Sequence, residues 1–226
     1  MSSSSDFRSG LERRDEFMAR VPSWYRGQWH FVAVNLVGIV LIGLAALGIH
    51  RLRAVELVTI PVAFFIANFF EWWVHKGPLH HQARGPAGEL YKRHTLLHHA
   101  SFSSTSMAVR SARELRMVLF PFPAILGAAL IATGLAALVT LLTTVNAGRL
   151  TFAVALGYYL LYEWCHLSFH LPETSWLGRN PITRALRGTH TRHHDPARML
   201  SCNFNVTFPI VDALMGTLDR EEKKSG

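Results

Sequence analysis

The stretch His75-Lys-Gly-Pro-Leu-His80-His81, followed by His94-Thr-Leu-Leu-His98-His99, determines how the rest of the chain is interpreted. Two more histidine boxes follow downstream, Glu163-Trp-Cys-His166-Leu-Ser-Phe-His170 and His190-Thr-Arg-His193-His194. Of the 13 histidines, 11 fall in the windows 75–99 and 166–194. Each window comes directly after a long apolar run, so we expect two helix ends to deliver these histidines to one membrane surface.

The composition indicates a membrane protein. Half of the 226 residues are hydrophobic and only 17% are charged, which is typical of a chain that crosses a bilayer. The net charge of +8 does not indicate a nucleic-acid partner, because the basic residues flank the apolar runs and no nucleic-acid motif accompanies them. The two cysteines, Cys165 and Cys202, do not form the pattern of a disulfide framework.

Four apolar runs predict an all-α integral membrane fold with four transmembrane helices, since about 20 apolar residues span a bilayer. The second run carries the polar residues Glu56, Asn68 and Glu71, and the third is interrupted near its start by Pro121 and Pro123. Ionisable groups at membrane depth are costly and usually functional. The predicted spans are Phe31–Ile49, Ala54–Val74, Met117–Val145 and Leu150–His170.

The positive charges predict the topology. With four spans, 20 of the 23 Lys and Arg residues lie on one side, which the positive-inside rule assigns to the cytoplasm, or to the cytoplasmic face of the inner membrane in a bacterium. Both histidine windows then lie on that face, in a helical cap. The predicted organisation is a polar tail over 1–27, a membrane domain over 28–218 and a charged tail over 219–226. The tail over 1–27 does not resemble a signal peptide.

The spacing within each histidine box predicts shared helical faces. On an α-helix His94 and His98 lie on one face, as do His166 and His170. His190 shares a helical face with His193 at i+3 and with His194 at i+4. In the first box Gly77-Pro78 breaks the helix and allows histidines five residues apart to turn inward. His30 and His50 are interpreted as ordinary interfacial residues. Whether His81 is a ligand is left open.

The number of imidazoles predicts a centre with two metal ions, because one zinc ion takes only four ligands. Imidazole suits iron, zinc, copper and nickel, so ligand type alone does not identify the metal. No catalytic residue is predicted beyond the metal site. Glu71, Glu163 and Asp195 are predicted to accept the second ring N–H of the ligands. The predicted ligands are His75, His80, His94, His98, His99, His166, His170, His190, His193 and His194.

These boxes, the apolar run that separates them and the ending Asn203–Thr217 resemble the fatty acid hydroxylase and sterol desaturase superfamily of integral-membrane diiron enzymes. The motifs are HxxxxH at His75, HxxxH at His166, HxxHH at His190 and D-x-L-x-G-T at Asp212. The second box reads HxxxHH, where the family usually has HxxHH. The resemblance implies two iron ions (zinc being possible in a purified state), O₂ as cosubstrate, a membrane lipid as substrate and a separate electron-donor protein.

The sequence is compatible with three functions. The spacing of His75 and His80 is similar to that of the hydroxylase branch, which favours hydroxylation of a lipid acyl chain. The second box and its lead-in, Leu90-Tyr91-Lys92, look more like the sterol branch, so a lipid or sterol desaturase is the alternative. A non-catalytic zinc-handling membrane protein is the rival of another class, although transporters usually place their ligands near the bilayer midplane.

Overall fold

The computed structural model describes residues 3–219, and within that range the chain is helical and contains no β-strand. The prediction of an all-α fold is therefore confirmed for this part of the chain. The α-helices are α1 (Ser3–Arg20), α2 (Gly27–Leu47), α3 (Thr59–Val74), α4 (Pro86–Tyr91), α5 (Leu115–Val118), α6 (Pro123–Leu142), α7 (Val145–Phe169), α8 (Pro181–His193) and α9 (Ile210–Leu214).

Three helical stretches are long and apolar enough to cross a membrane, namely Gly27–Leu47, Ala54–Leu79 and Pro123–Leu142. They correspond to the first three predicted spans. Large apolar side chains of α2 and α6, such as Leu44 and Leu130, are exposed along these helices. An isolated apolar helix surface of this kind is typical of contact with lipid. These three stretches indicate that the chain is an integral membrane protein.

Helix α7 occupies the centre of the bundle and packs against α2, α3 and α6. It is long, but it carries Arg149, Glu163 and His166 and is less apolar than the three stretches above. Gly148 permits its close approach to α6, because a Cβ there would lie 2.7 Å from the carbonyl oxygen of Ala136. Small residues at such crossings are typical of membrane helix pairs. The predicted fourth span coincides with α7, but the number of crossings stays a prediction.

The proline-interrupted entry to the third span is present. The backbone leaves the helical conformation at Leu119, and α6 restarts with Pro123 in its first turn, where a missing N–H costs nothing. Two short π-helical stretches, His75–Leu79 and Lys92–His99, and the 3₁₀ turns Ala54–Val58 and Ala112–Glu114 complete the helical elements. Both π-helical stretches carry histidine boxes.

The N-terminal segment is more ordered than a polar tail. Residues Ser3–Arg20 form α1, and Arg14 in its middle is 1% exposed. Helix α1 lies against the segment around Glu114. Sequence pattern alone indicated only a surface tail over 1–27, because the segment is charged and has few large apolar residues.

Candidate metal centre

Ten buried or half-buried histidines converge in the structure as two groups of five, and they are the ten predicted from the sequence. Within each group the candidate ligand atoms all lie within 4.8 Å of one another. The first group contains His75, His80, His94, His99 and His193, and the second group contains His98, His166, His170, His190 and His194.

The first box reaches the site through a π-helical turn. His75 ends α3 and His80 follows the turn that contains Pro78. Both side chains are buried, and their rings stack with centroids 5.2 Å apart. The break predicted at Gly77-Pro78 therefore takes the form of a wider helical turn that places residues five apart side by side.

The second box differs from the prediction because it is also π-helical. In a helix with i→i+5 hydrogen bonds, His94 aligns with His99 and not with His98. The Nε2 atoms of His94 and His99 lie 3.1 Å apart within the first group, whereas His98 belongs to the second group. The rings of His94 and His98 nevertheless stack, with centroids 5.4 Å apart, so they lie on one side of the segment as predicted but belong to different groups.

The downstream boxes are α-helical, so residues four apart share a group. His166 and His170 lie at the end of α7, and His190 and His194 lie at the end of α8 with their Nε2 atoms 3.2 Å apart. His193 points the other way and joins the first group, where its Nε2 lies 3.0 Å from that of His80. Each window thus gives four histidines to one group and one to the other.

Main-chain carbonyls fix the tautomers of several rings. Nδ1 of His98 donates to Met117 O at 3.0 Å and Nδ1 of His170 donates to Met107 O at 2.8 Å. A carbonyl can only accept, so Nδ1 carries the proton and Nε2 presents a lone pair. The same contact is made by His75 with Phe204 O, by His193 with Cys202 O and by His194 with Phe102 O.

These tautomers leave nitrogen lone pairs facing one another. The Nε2 atoms of His98 and His194 are 3.2 Å apart, although neither has a proton to donate. Two acceptors at this distance repel, and burial strengthens the repulsion. A cation between them removes it, so the donor set of the second group fits a metal ion. The first group offers five candidate ligand atoms that also lie within 4.8 Å of one another.

The spacing of the nitrogens also bears on the ion. Neighbouring Nε2 atoms are 2.9 Å apart for His75 and His94 and 3.1 Å apart for His98 and His166. Other neighbouring pairs, such as His98 and His194, are 3.2 Å apart, so both nitrogens of each pair can reach one ion at about 2.1 Å. Five imidazoles also exceed the four ligands of a structural zinc site. The arrangement favours a metal that accepts more than four ligands.

Burial keeps the rings in the neutral form that binds metal. It lowers the pKa of His80 to about 3 and that of His193 to about 4, in the case of His80 with a further contribution from the neighbouring imidazole of His193. Burial likewise lowers the pKa of His94, His98 and His99 well below the ordinary value of 6.5. These rings are therefore neutral at pH 7.

The three predicted carboxylates are hydrogen-bonded to groups other than the ligand imidazoles, which corrects their predicted role. Glu163 accepts from the Tyr159 hydroxyl at 3.0 Å and from Phe120 N at 3.3 Å. Asp195 accepts from Ala197 N and pairs with Arg198. Carbonyls take their place because the loops around the site already present main-chain oxygens to Nδ1.

Glu71 has an indirect connection to the site. Its Oε1 accepts the main-chain N–H groups of Val206 and Thr207 at 2.6 and 3.0 Å. Asp212 accepts those of Phe204 and Asn205 at 3.0 and 2.7 Å. Together the two carboxylates fix the backbone that carries the Phe204 carbonyl. Asp212 was visible in the sequence only as part of the D-x-L-x-G-T motif, without a role.

The remaining histidines lie outside both groups. His30 bonds through Nδ1 to the Tyr25 hydroxyl at 2.8 Å. His50 and His81 are exposed, and His81 contacts only the carbonyls of Lys76 and Gly77. Their positions agree with the interpretation of His30 and His50 as ordinary residues, and they place His81 with them.

The sequence matches the model of a known protein family. A family described as fatty acid hydroxylase matches residues 60–217, which is more than half of the chain and includes both histidine groups. No curated protein and no solved structure gives a match.

Proposed function

The chain belongs to the fatty acid hydroxylase family, within the fatty acid hydroxylase and sterol desaturase superfamily of membrane-bound oxidoreductases, and we propose that it hydroxylates a lipid acyl chain with O₂. The observation that carries this proposal is the pair of five-histidine groups. In the second group, nitrogen lone pairs of rings fixed by carbonyls face one another. Five imidazoles in each group would hold one iron ion. When bound, the two irons supply the reductive activation of O₂ for attack on an unactivated C–H bond.

The contribution of the protein is to hold ten neutral imidazoles in place and to keep water away. The carbonyls of Met117 and Met107 orient His98 and His170, so the ligands need no reorganisation when metal enters. His170, His193 and His194 are at most 1% exposed. A dry site of this kind protects a reactive oxidant from side reactions.

The site lies on the cytoplasmic face in this proposal, with α7 as the fourth span. Helix α7 has 25 residues and is about 38 Å long at 1.5 Å per residue, which exceeds the about 30 Å of a hydrocarbon core. Its polar residues are sheltered by α2, α3 and α6, so it does not need an apolar surface all round. Electrons would come from a separate donor protein.

Hydroxylation is chosen over desaturation because the spacing of His75 and His80 is similar to that of the hydroxylase branch. Expression under ¹⁸O₂ with an electron donor tests this choice. We expect a membrane lipid that is heavier by one labelled oxygen atom, and none from the His98→Ala variant. A lipid lighter by two hydrogens, without label, would instead identify a desaturase. Bound zinc that is indifferent to O₂, with no product despite iron and reductant, would favour the metal-handling rival.

A further inference from the structure

Arg14 of helix α1 is a charged side chain that is buried in the protein interior. Arg14 is 1% exposed, and its guanidinium is surrounded by acceptors from one distant segment. Nε donates to Ser101 O at 2.7 Å, Nη1 donates to Ala108 O at 2.9 Å, and Nη2 donates to both the carbonyl and the hydroxyl of Ser106. Arg14 lies outside the family match, which begins at residue 60.

The segment that Arg14 binds is the one that orients two metal-site histidines. Phe102 O accepts from Nδ1 of His194 at 2.6 Å, and Met107 O accepts from Nδ1 of His170 at 2.8 Å. The acceptors of Arg14 are the immediate neighbours of these two carbonyls, since Ser101 precedes Phe102 and both residues flanking Met107 are bound. The guanidinium therefore holds each orienting carbonyl from an adjacent peptide.

A stacking contact connects the same groups. The Arg14 guanidinium carbon lies 4.1 Å from the centroid of the Phe102 ring. That ring lies 4.7 Å from the ring of His170 and 5.3 Å from the ring of His98. Glu114, which is also buried, lies 3.6 Å from the guanidinium and offsets its charge. A positive side chain is thereby accommodated close to a site that would hold a cation.

The segment has little regular structure of its own. Between Phe102 and Ser111 it is non-helical, and a single turn bond, Ser106 N to Ser103 O, lies within it. Its carbonyls consequently depend on outside donors for their positions. Both histidines that it orients belong to the second group. In the first group His75 and His193 use the carbonyls of Phe204 and Cys202 instead.

We propose that Arg14 is a positioning residue for the second histidine group, through which the N-terminal helix holds one of the two metal ions. This inference rests on the proposed function only for the presence of two ions. It assigns to α1 a part in the metal centre and limits that part to one group. Loss of a residue that orients ligands typically lowers metal affinity by about 10- to 100-fold.

The test counts ferrous iron bound anaerobically to the purified full-length protein and records the ⁵⁷Fe Mössbauer spectrum. At an iron concentration that just saturates the wild type, we expect Arg14→Ala to bind one ion instead of two, with a spectrum like that of His170→Ala and unlike that of His75→Ala. Arg14→Lys keeps the charge but does not reach three carbonyls at once, so we expect an intermediate affinity. Arg13→Ala, an exposed neighbour, is the matched control and should bind two ions.

Several outcomes would overturn the inference. The inference is wrong if the Arg14→Ala protein binds both ions as tightly as the wild type. It is also wrong if a folded Arg14→Lys protein loses both ions equally. Should the alanine variant fail to fold, the lysine variant decides alone. A wild type that binds two ions without oxidising any lipid would refute the proposed function and leave this inference standing. A wild type that binds fewer than two ions would refute both.

Discussion

Glu71 accepts the main-chain N–H of Val206 across 2.6 Å, so a carboxylate on α3 holds a backbone segment 135 residues further along the chain. The adjacent N–H of Thr207 and the hydroxyl of Tyr158 bind the same carboxylate. The segment presents the Phe204 carbonyl to His75. The acidic residue therefore acts on the backbone and reaches the imidazole only through it.

Replacing Glu71 by alanine should destabilise the protein. Two buried main-chain donors lose their acceptor, and each unpaired donor costs about 1–3 kcal/mol, so we expect the free energy of unfolding to fall by at least about 2 kcal/mol. Thermal unfolding in detergent measures the change. Glu89→Ala is the control, because Glu89 is exposed and only pairs with Lys92 at the surface. Equal stability of the two variants would show that the Glu71 contacts do not stabilise the fold.

Double variants of the second box should reveal how its histidines are sorted. His94 and His99 belong to the first group and His98 to the second. We expect the His94→Ala, His99→Ala protein to keep about one iron per chain, since one group of five is intact. The His94→Ala, His98→Ala protein should weaken both ions, as measured by iron content during dilution into chelator. His81→Ala, which alters an exposed neighbour of His80, is the control. The same iron content in both double variants would contradict the two groups.

Two tyrosines one turn apart on α7 should respond differently to loss of the hydroxyl. The Tyr158 hydroxyl donates to Glu71 at 2.5 Å and accepts from Asn68 at 2.7 Å. The Tyr162 hydroxyl is buried and has no hydrogen-bond partner within residues 3–219. We expect Tyr158→Phe to lower the unfolding temperature and Tyr162→Phe to leave it unchanged or raise it, because an unpaired buried hydroxyl is unfavourable. The reverse order would contradict the hydrogen-bond assignment.

Cysteine labelling should locate the histidine face of the membrane. Native Cys202 is 8% exposed and suits the experiment poorly. His50 and Thr174 are both exposed, and four crossings place them on opposite sides. With a membrane-impermeant thiol reagent on intact cells, we expect His50→Cys to react and Thr174→Cys to react only after the cytoplasmic face is opened. The unmodified protein reports the background. Labelling of Thr174→Cys from outside sealed cells would overturn the topology.

The type of fold and the set of histidines that form the site could be predicted from the sequence, because both depend on local pattern. Uncharged runs such as Phe31–Ile49 predict apolar helices wherever they occur, and the structure has helices long and apolar enough to span at the first three of the four predicted positions. The four histidine boxes predicted the same ten histidines that the structure brings together. Spacing gave the pairing of His166 with His170, since α7 continues as a regular helix.

The sorting of the histidines and their supports were decided by tertiary structure. The π-helical register of Lys92–His99 assigns His94 and His98 to different groups, and the i, i+4 spacing of an α-helix does not reveal this. The rings are oriented by carbonyls such as Met107 O and Phe102 O. Every residue has a carbonyl, so no residue type marks the ones that matter. Only the packing of distant segments, with Arg14 and Glu71 holding two of them, brings those oxygens to Nδ1.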